Sequence, residues 1–290
     1  MNYLLLVVSV LCGVTKNIIS KSGNDKFSWP DGMLLSNIIT AAVGIVFFSV
    51  GGLDIYALAN PTIILMSLLF GICTMLSQML HIIAVKNGSV SVCSLIYSCG
   101  FVIPTAFGIL VYKDNLTSLA LLGIIILVAG IYFVSKPTSG SSNGKKWLIP
   151  AFSAMLCSGL VGILQKVYRK TYPDSGLNEF LMLSFGFMLI LSLVIKLVLR
   201  NKGTAVKAKK NCAYWVTMLL LALSVVSANK LNLLLSGVMS SGIFFPCVNG
   251  GCIIITAVVS RLLFREKLAW EQWLGIIGSV GAIVLIVFPA

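Results

Sequence analysis

Ten stretches of this chain run apolar for about 20 residues each, the length that crosses a bilayer as a helix. They fall at roughly 3–21, 32–51, 61–85, 89–112, 116–135, 147–169, 179–200, 213–235, 239–264 and 269–288. Turn chemistry separates them, as at Ala59-Asn60-Pro61, Lys113-Asp114-Asn115, Tyr172-Pro173-Asp174-Ser175-Gly176 and Ser236-Gly237. The runs are continuous rather than alternating, which argues against the strands of a lipid-facing barrel. Helices also satisfy their backbone groups internally, as a bilayer requires. The pattern predicts an all-α, polytopic membrane protein with ten transmembrane helices.

The most linker-like stretch, KPTSGSSNGKK at 136–146, splits these helices into two sets of five. The sets resemble each other. GVTKNIISK at 13–21 aligns with GILQKVYRK at 162–170, and HIIAVKNG at 81–88 with KLNLLLSG at 230–237, both at an offset of 149. YKDNLTSLALLGIII at 112–126 aligns with FREKLAWEQWLGIIG at 264–278 after a three-residue adjustment. An odd number of helices per set points the sets in opposite directions, so the expected organisation is two inverted five-helix repeats. Residues 1–138 form the first, 139–146 the linker loop and 147–290 the second.

Composition agrees: 58% of the 290 residues are apolar and only 10% are charged, against about 25% charged in soluble domains. The mean hydropathy is +1.03. Disordered chains are poor in apolar residues, so disorder is excluded. The net charge of +13 reads as a bias between membrane faces rather than as nucleic-acid binding. Seven of the eight cysteines lie inside apolar runs, and no CxxC or Cys/His spacing points to zinc. With a single histidine as well, no metal and no cofactor is expected. The N-terminal run lacks the basic start and cleavage site of a signal peptide.

Call the face carrying both termini face A and the other face B. Face-B loops hold thirteen basic residues: Lys21, Lys26, Lys86, Lys136, Lys145, Lys146, Arg200, Lys202, Lys207, Lys209, Lys210, Arg265 and Lys267. Face-A loops hold three, Lys113, Arg169 and Lys170. The positive-inside rule then puts face B in the cytoplasm and both termini outside, in the plasma membrane as the expected location.

The chain resembles the drug/metabolite transporter superfamily, in its ten-helix EamA-like branch. The likeness rests on the five-plus-five repeat, on FREKLAWEQWLGIIGSVGAIVL at 264–285, and on VKNGSVSVCSLIYSCGFVIPTAFG at 85–108 with Pro104 late in the fourth span. It implies a central cavity lined by the first, third, fourth, sixth, eighth and ninth helices. Two features depart from the family pattern: Lys113-Asp114 stands where a basic-Glu pair is usual, and such proteins commonly keep both termini in the cytoplasm.

Polar side chains deep in the spans are the candidate substrate-binding residues: Lys16, Asn17, Gln78, His81, Tyr97, Ser98, Asn229, Lys230 and Asn249. His81 and Lys230 occupy equivalent positions in the two repeats. Gln78 precedes His81 by three residues and shares its helix face, and Ser94, Tyr97 and Ser98 share another. Pro246, Asn249, Gly250 and Gly251 interrupt the ninth span. Snorkelling of Lys16 and Lys230 to the interface, and helix packing by the serines, are the competing readings. Lys166 reads as interfacial. The eight acids all fall in loops or at helix ends.

That distribution favours an anionic or zwitterionic solute, such as an amino acid or organic acid. The expected function is secondary active transport by alternating access, one half rocking against the other. The alternative, an exporter of cationic drugs or amines, lacks the buried carboxylate it needs. An enzyme is not expected, because no nucleophile, base or metal-ligand set lies at membrane depth. The expected partners are a small-molecule substrate, the lipid bilayer and a coupling proton or counter-substrate, with no nucleic acid. Small residues on the fifth and tenth helices (Gly123, Gly130; Gly275, Gly278, Ser279, Gly281, Ala282) read first as helix-packing surfaces, with a homodimer through those helices as the second reading.

Overall fold

A computed structural model describes residues 2–22, 31–87, 93, 96–114, 117–134, 147–173, 176–200, 212–264 and 269–287. Ten apolar helices account for most of them. They are α1 (Asn2–Ser22), α2 (Asp31–Ser49), α3 (Pro61–Asn87), α4 (Ile96–Tyr112), α5 (Ser118–Val134), α6 (Leu148–Thr171), α7 (Leu177–Arg200), α8 (Cys212–Val238), α9 (Ser241–Phe264) and α10 (Trp270–Val287). Eight are long and apolar enough to cross a membrane, and α4 and α5 are shorter apolar helices. Large apolar side chains such as Leu65, Leu110 and Ile149 stand exposed along their outer faces, which lipid tolerates and water does not. The chain is an integral, multi-pass membrane protein. Linker residues 139–146, Ser94, Glu266 and most of the face-B basic residues lie outside the described residues.

The helix ends follow local chemistry. Pro61 occupies the first position of α3, where a missing N–H costs nothing, and Asn60 accepts from the Thr62 amide at 2.9 Å. Thr117 caps α5 through the Ala120 amide at 3.2 Å. A short helix, Ile55–Ala59, fills the α2–α3 loop and is capped by Asp54, which accepts from Tyr56. The turn expected at Ser236-Gly237 lies further on, because α8 continues to Val238. Gly237 lets Arg169 pack against the helix; a Cβ there would stand 2.9 Å from the Arg169 Cβ.

The packing pairs are α5 with α10, α2 with α7, α3 with α6 and α7, α8 with α1 and α2, α1 with α9, and α4 with α6 and α9. Each of these pairs joins a helix before the linker to one after it. Exchanging the sets, α1 for α6 through α5 for α10, returns these pairs; α9 with α10, α6 with α8 and α5 with α9 also pack and fall outside that symmetry. The two sequence halves are therefore interleaved through most of these contacts.

The apolar cores divide differently. One cluster gathers Leu6, Val10 and Val14 of α1, Phe101 of α4, Leu127 and Ile131 of α5, and residues of α9 and α10. The other gathers Leu34, Ala41 and Phe48 of α2, Ile63 and Phe70 of α3, Tyr168 of α6, and Phe180 and Phe185 of α7. The middle of α8 joins the second cluster through Val226 and Leu233, and its end joins the first through Leu235 and Met239.

The small-residue seams of α5 and α10 face each other within the chain. A Cβ on Gly130 would lie 2.1 Å from the Ser279 hydroxyl and 2.9 Å from the Gly275 carbonyl oxygen. Gly278 and Gly281 have no atom within 4 Å of such a Cβ. Gly130→Val should therefore lower stability by about 1–3 kcal/mol through overpacking against a fixed backbone. Gly278→Val should change it by less than about 0.5 kcal/mol. Thermal unfolding of the two variants in detergent checks both values.

Candidate functional site

Helix α8 packs against α1, α2 and α6, yet residues 227–232 are all half-buried. The equivalent stretch of α3, residues 78–83, behaves in the same way. A helix between core and lipid would alternate buried and exposed residues with a 3.6-residue period. At 3.6 residues per turn six residues cover every side of a helix, so these stretches are neither sealed in the core nor fully exposed on any side. Both runs contain candidate residues.

On the face-B side, α1, α3 and α4 bring three of them together. His81 lies six residues before the end of α3, roughly 9 Å along the axis at 1.5 Å per residue. Its ring meets Tyr97 of α4 with centroids 4.5 Å apart and planes at 35°. Its Nε2 is buried without a hydrogen-bond partner, a state that is costly unless something supplies the missing bond. The Tyr97 hydroxyl shares a 3.0 Å hydrogen bond with Ser77. Lys16 of α1 is half-buried, six residues before the face-B end of its helix. Asn17, beside it, donates to Thr256 of α9 at 3.2 Å.

Lys230 stands apart, in the face-A half. It lies eight residues before the end of α8, roughly 12 Å deep along the axis. Its ammonium sits over the rings of Phe47 and Phe48 of α2, 5.2 and 5.9 Å from the centroids, a cation–π contact. Neither Lys16 nor Lys230 has a carboxylate partner among the described residues. Asn229 and Asn249 each donate to the carbonyl four residues back in their own helix, Val225 and Phe245, at 2.9 Å. Gln78 and Ser98 are half-buried, beside His81 and Tyr97 respectively. Sequence reasoning passed over Ser77, and over Ser9, which donates from α1 to Asn232 of α8 at 2.5 Å.

The largest departure concerns Lys166. It is not interfacial: it is 1% exposed, among the most deeply buried large side chains. Its Nζ lies 3.0 Å from Asp114 Oδ2 and donates to the Met239 carbonyl at 3.0 Å. The same carboxylate oxygen accepts the Ser241 amide at 2.8 Å. Local backbone geometry brings Asp114 there. Helix α4 ends on Lys113 in the left-handed conformation, with φ of 52°, which turns the chain back over its last turn. Gly108 makes room for α9, because a Cβ at that position would collide with Ser241.

Asp114 lies in the turn after α4. Burial pushes its carboxyl upward, but the Ser241 amide and the Lys166 ammonium outweigh burial and hold it below the usual carboxylate range. Lys166 is the charged group acting on it; Lys170, one turn further along α6, acts on Lys166, and Tyr112 feels the Asp114 charge. A carboxyl with a depressed folded pKa adds stability at pH values above its unfolded pKa and loses it as pH falls through the folded value. The Asp114 contribution should therefore stay constant from neutrality down to about pH 5 and vanish only in stronger acid. Thermal melts of the wild type and Asp114→Asn across this range test it. A difference that disappears between pH 7 and 5 would contradict the assignment.

Apolar helices of spanning length, a lipid-compatible exterior and ionisable side chains within the spans define a polytopic membrane protein. Residues 1–136 match the model of the EamA-like transporter family, which the chain resembles over that span. An uncharacterized protein of Haemophilus influenzae is 22% identical over 183 residues, which span 62% of this chain and 60% of that protein. A crystal structure described only as that of a protein superposes with a TM-score of 0.77 at 11% identity, covering 99% of each chain. That likeness concerns the fold alone.

Proposed function

We propose that the chain moves a small polar solute bearing a carboxylate or phosphate group by alternating access. One observation carries this reading: Lys16 and Lys230 lie within membrane spans, on opposite sides of the midplane, without carboxylate partners among the described residues. A lysine at a helix centre costs about 2.5–3.5 kcal/mol on insertion scales. Such a cost is retained where the charge faces a pathway or binds something. The Asp114 carboxylate is bonded to Lys166 and the buried Glu179 accepts the Asp54 amide, so neither is paired with Lys16 or Lys230. His81, with its unpaired Nε2, and Tyr97 supply further hydrogen-bonding groups near Lys16.

The pairing of helices across the two sets supports an inverted repeat, and with it alternating access. The moving bodies would be the two mixed clusters, not the two sequence halves. Charge bias supports a cytoplasmic face B and external termini. A reporter active only in the cytoplasm should be silent at either terminus, and activity at both would reverse the orientation.

The substrate class is tested by thermal unfolding of purified protein at neutral pH. Glutamate, succinate and inorganic phosphate form one set of solutes, and putrescine and tetraphenylphosphonium the other. Stabilisation by members of the first set alone is expected. Stabilisation by the amines alone would support the cation exporter instead.

A further inference from the structure

Among the described residues, three substantial helix contacts fall outside the pairing symmetry, and one of them ties face A. There α6 also packs against α8: Ser236 donates to the Gln165 carbonyl at 3.3 Å and Arg169 lies against Gly237. Exchange of the two sets would place an equivalent contact between α1 and α3 at face B. Among the described residues those two helices show no packing of comparable extent. The ends of α6 and α8 are packed on each other at face A.

The Asp114–Lys166 pair lies at this closure. Lys166 belongs to α6, whose Tyr168 packs in the second apolar cluster. The segments it binds, the turn after α4 and the α8–α9 junction, adjoin the first cluster through Phe101, Met239 and Phe244. One ammonium and one carboxylate oxygen thus join the two bodies. Exchange of the sets puts Asn17 in the place of Lys166, and Asn17 makes a neutral hydrogen bond to Thr256. The architecture therefore holds this helix position without a charge, and a buried ion pair is in general weak support for stability.

We propose that the Asp114–Lys166 pair, with Ser241 and Met239, is a latch that holds face A shut, and that the structure is the face-A-closed, face-B-open member of the transport cycle. This rests on the alternating-access reading. To open face A, α6 must withdraw from the α8–α9 junction, and the pair must separate. The same movement brings α1 towards α3 and closes face B, where Lys16, His81 and Tyr97 lie.

Two cysteine reporters test the latch in purified protein. Ser240→Cys reports face A, because the Ser240 hydroxyl is buried beside the latch. Ser98→Cys reports the face-B side. Each is alkylated with a sulfonated maleimide, and mass spectrometry separates it from the native cysteines. With the latch intact, position 240 should react slowly and position 98 quickly. Asp114→Asn, or the charge-free pair Asp114→Asn with Lys166→Met, should speed labelling at 240 about tenfold and slow it at 98. Lys166→Arg should keep the original pattern.

Unchanged rates at 240 in a monodisperse variant would overturn the latch. Faster labelling at both positions would overturn it too, because that is local loosening without alternation. No solute enters the assay, so its outcome is separate from the anion-binding proposal. Anions that stabilise the protein, with labelling unmoved, would remove the latch alone.

Discussion

Replacing Lys166 by methionine should destabilise the protein by about 3–5 kcal/mol, the usual cost of removing one partner of a buried ion pair. The loss comes from what is left behind. Asp114 would keep a side chain only 10% exposed with no cation near its carboxylate, and the Met239 carbonyl would lose its donor. Adding Asp114→Asn should restore most of that loss, because the amide oxygen still accepts the Ser241 amide and no charge remains buried. The double variant should lie within about 1–2 kcal/mol of the wild type. Unfolding midpoints for the four proteins of this cycle measure the coupling. A single Lys166→Met variant as stable as the wild type would show that Asp114 is solvated and the pair unimportant.

Lys230→Met and Lys16→Met should behave in the opposite way. Neither ammonium supports a carboxylate among the described residues, so its removal orphans none of them. Lys230 loses a cation–π contact worth about 0.5–2 kcal/mol, and the chain sheds a buried charge that costs more than that on insertion scales. Both variants should fold with unchanged or higher thermal stability. Anion binding should suffer: a hydrogen bond to a charged group contributes about 1.5–3 kcal/mol, so affinity should fall roughly tenfold to a hundredfold. Lys→Arg at either position should retain part of it. Titration of the stabilising anion against each variant measures the change. Full affinity in both methionine variants would remove these lysines from the site.

The helices were legible because a bilayer imposes one dominant rule, an apolar run of sufficient length. Most expected boundaries fall within two or three residues of the observed ones. Exceptions arose where a polar dipeptide did not end a helix, as at Ser236-Gly237, where Gly237 serves packing against Arg169. The interior site was legible only in part. His81 and Tyr97 do meet, because each lies near the face-B end of its helix. Lys230 sits elsewhere, over Phe47 and Phe48, since equivalence under an inverted repeat puts it in the opposite half of the membrane. Asn229 and Asn249 turn to their own backbones, a choice that helical spacing does not reveal.

The Asp114–Lys166 pair was missed for a different reason. Proximity of Lys166 to a helix end made an interfacial lysine the natural reading, and Asp114 looked like a loop residue. Both descriptions of sequence position are correct. The ion pair depends on the left-handed turn at Lys113 and on the approach of α9 over Gly108, and neither leaves a pattern in hydropathy. The asymmetry between Lys166 and Asn17, visible in the aligned repeats, was the available signal.

Uptake into proteoliposomes tests the central claim most directly. The solutes compared are the anion that stabilises the purified protein most and an amine of similar size. The account predicts saturable uptake of the anion, lost in Lys230→Met and retained in part by Lys230→Arg, with no uptake of the amine. Saturable uptake of the amine, with the anion excluded, would contradict it.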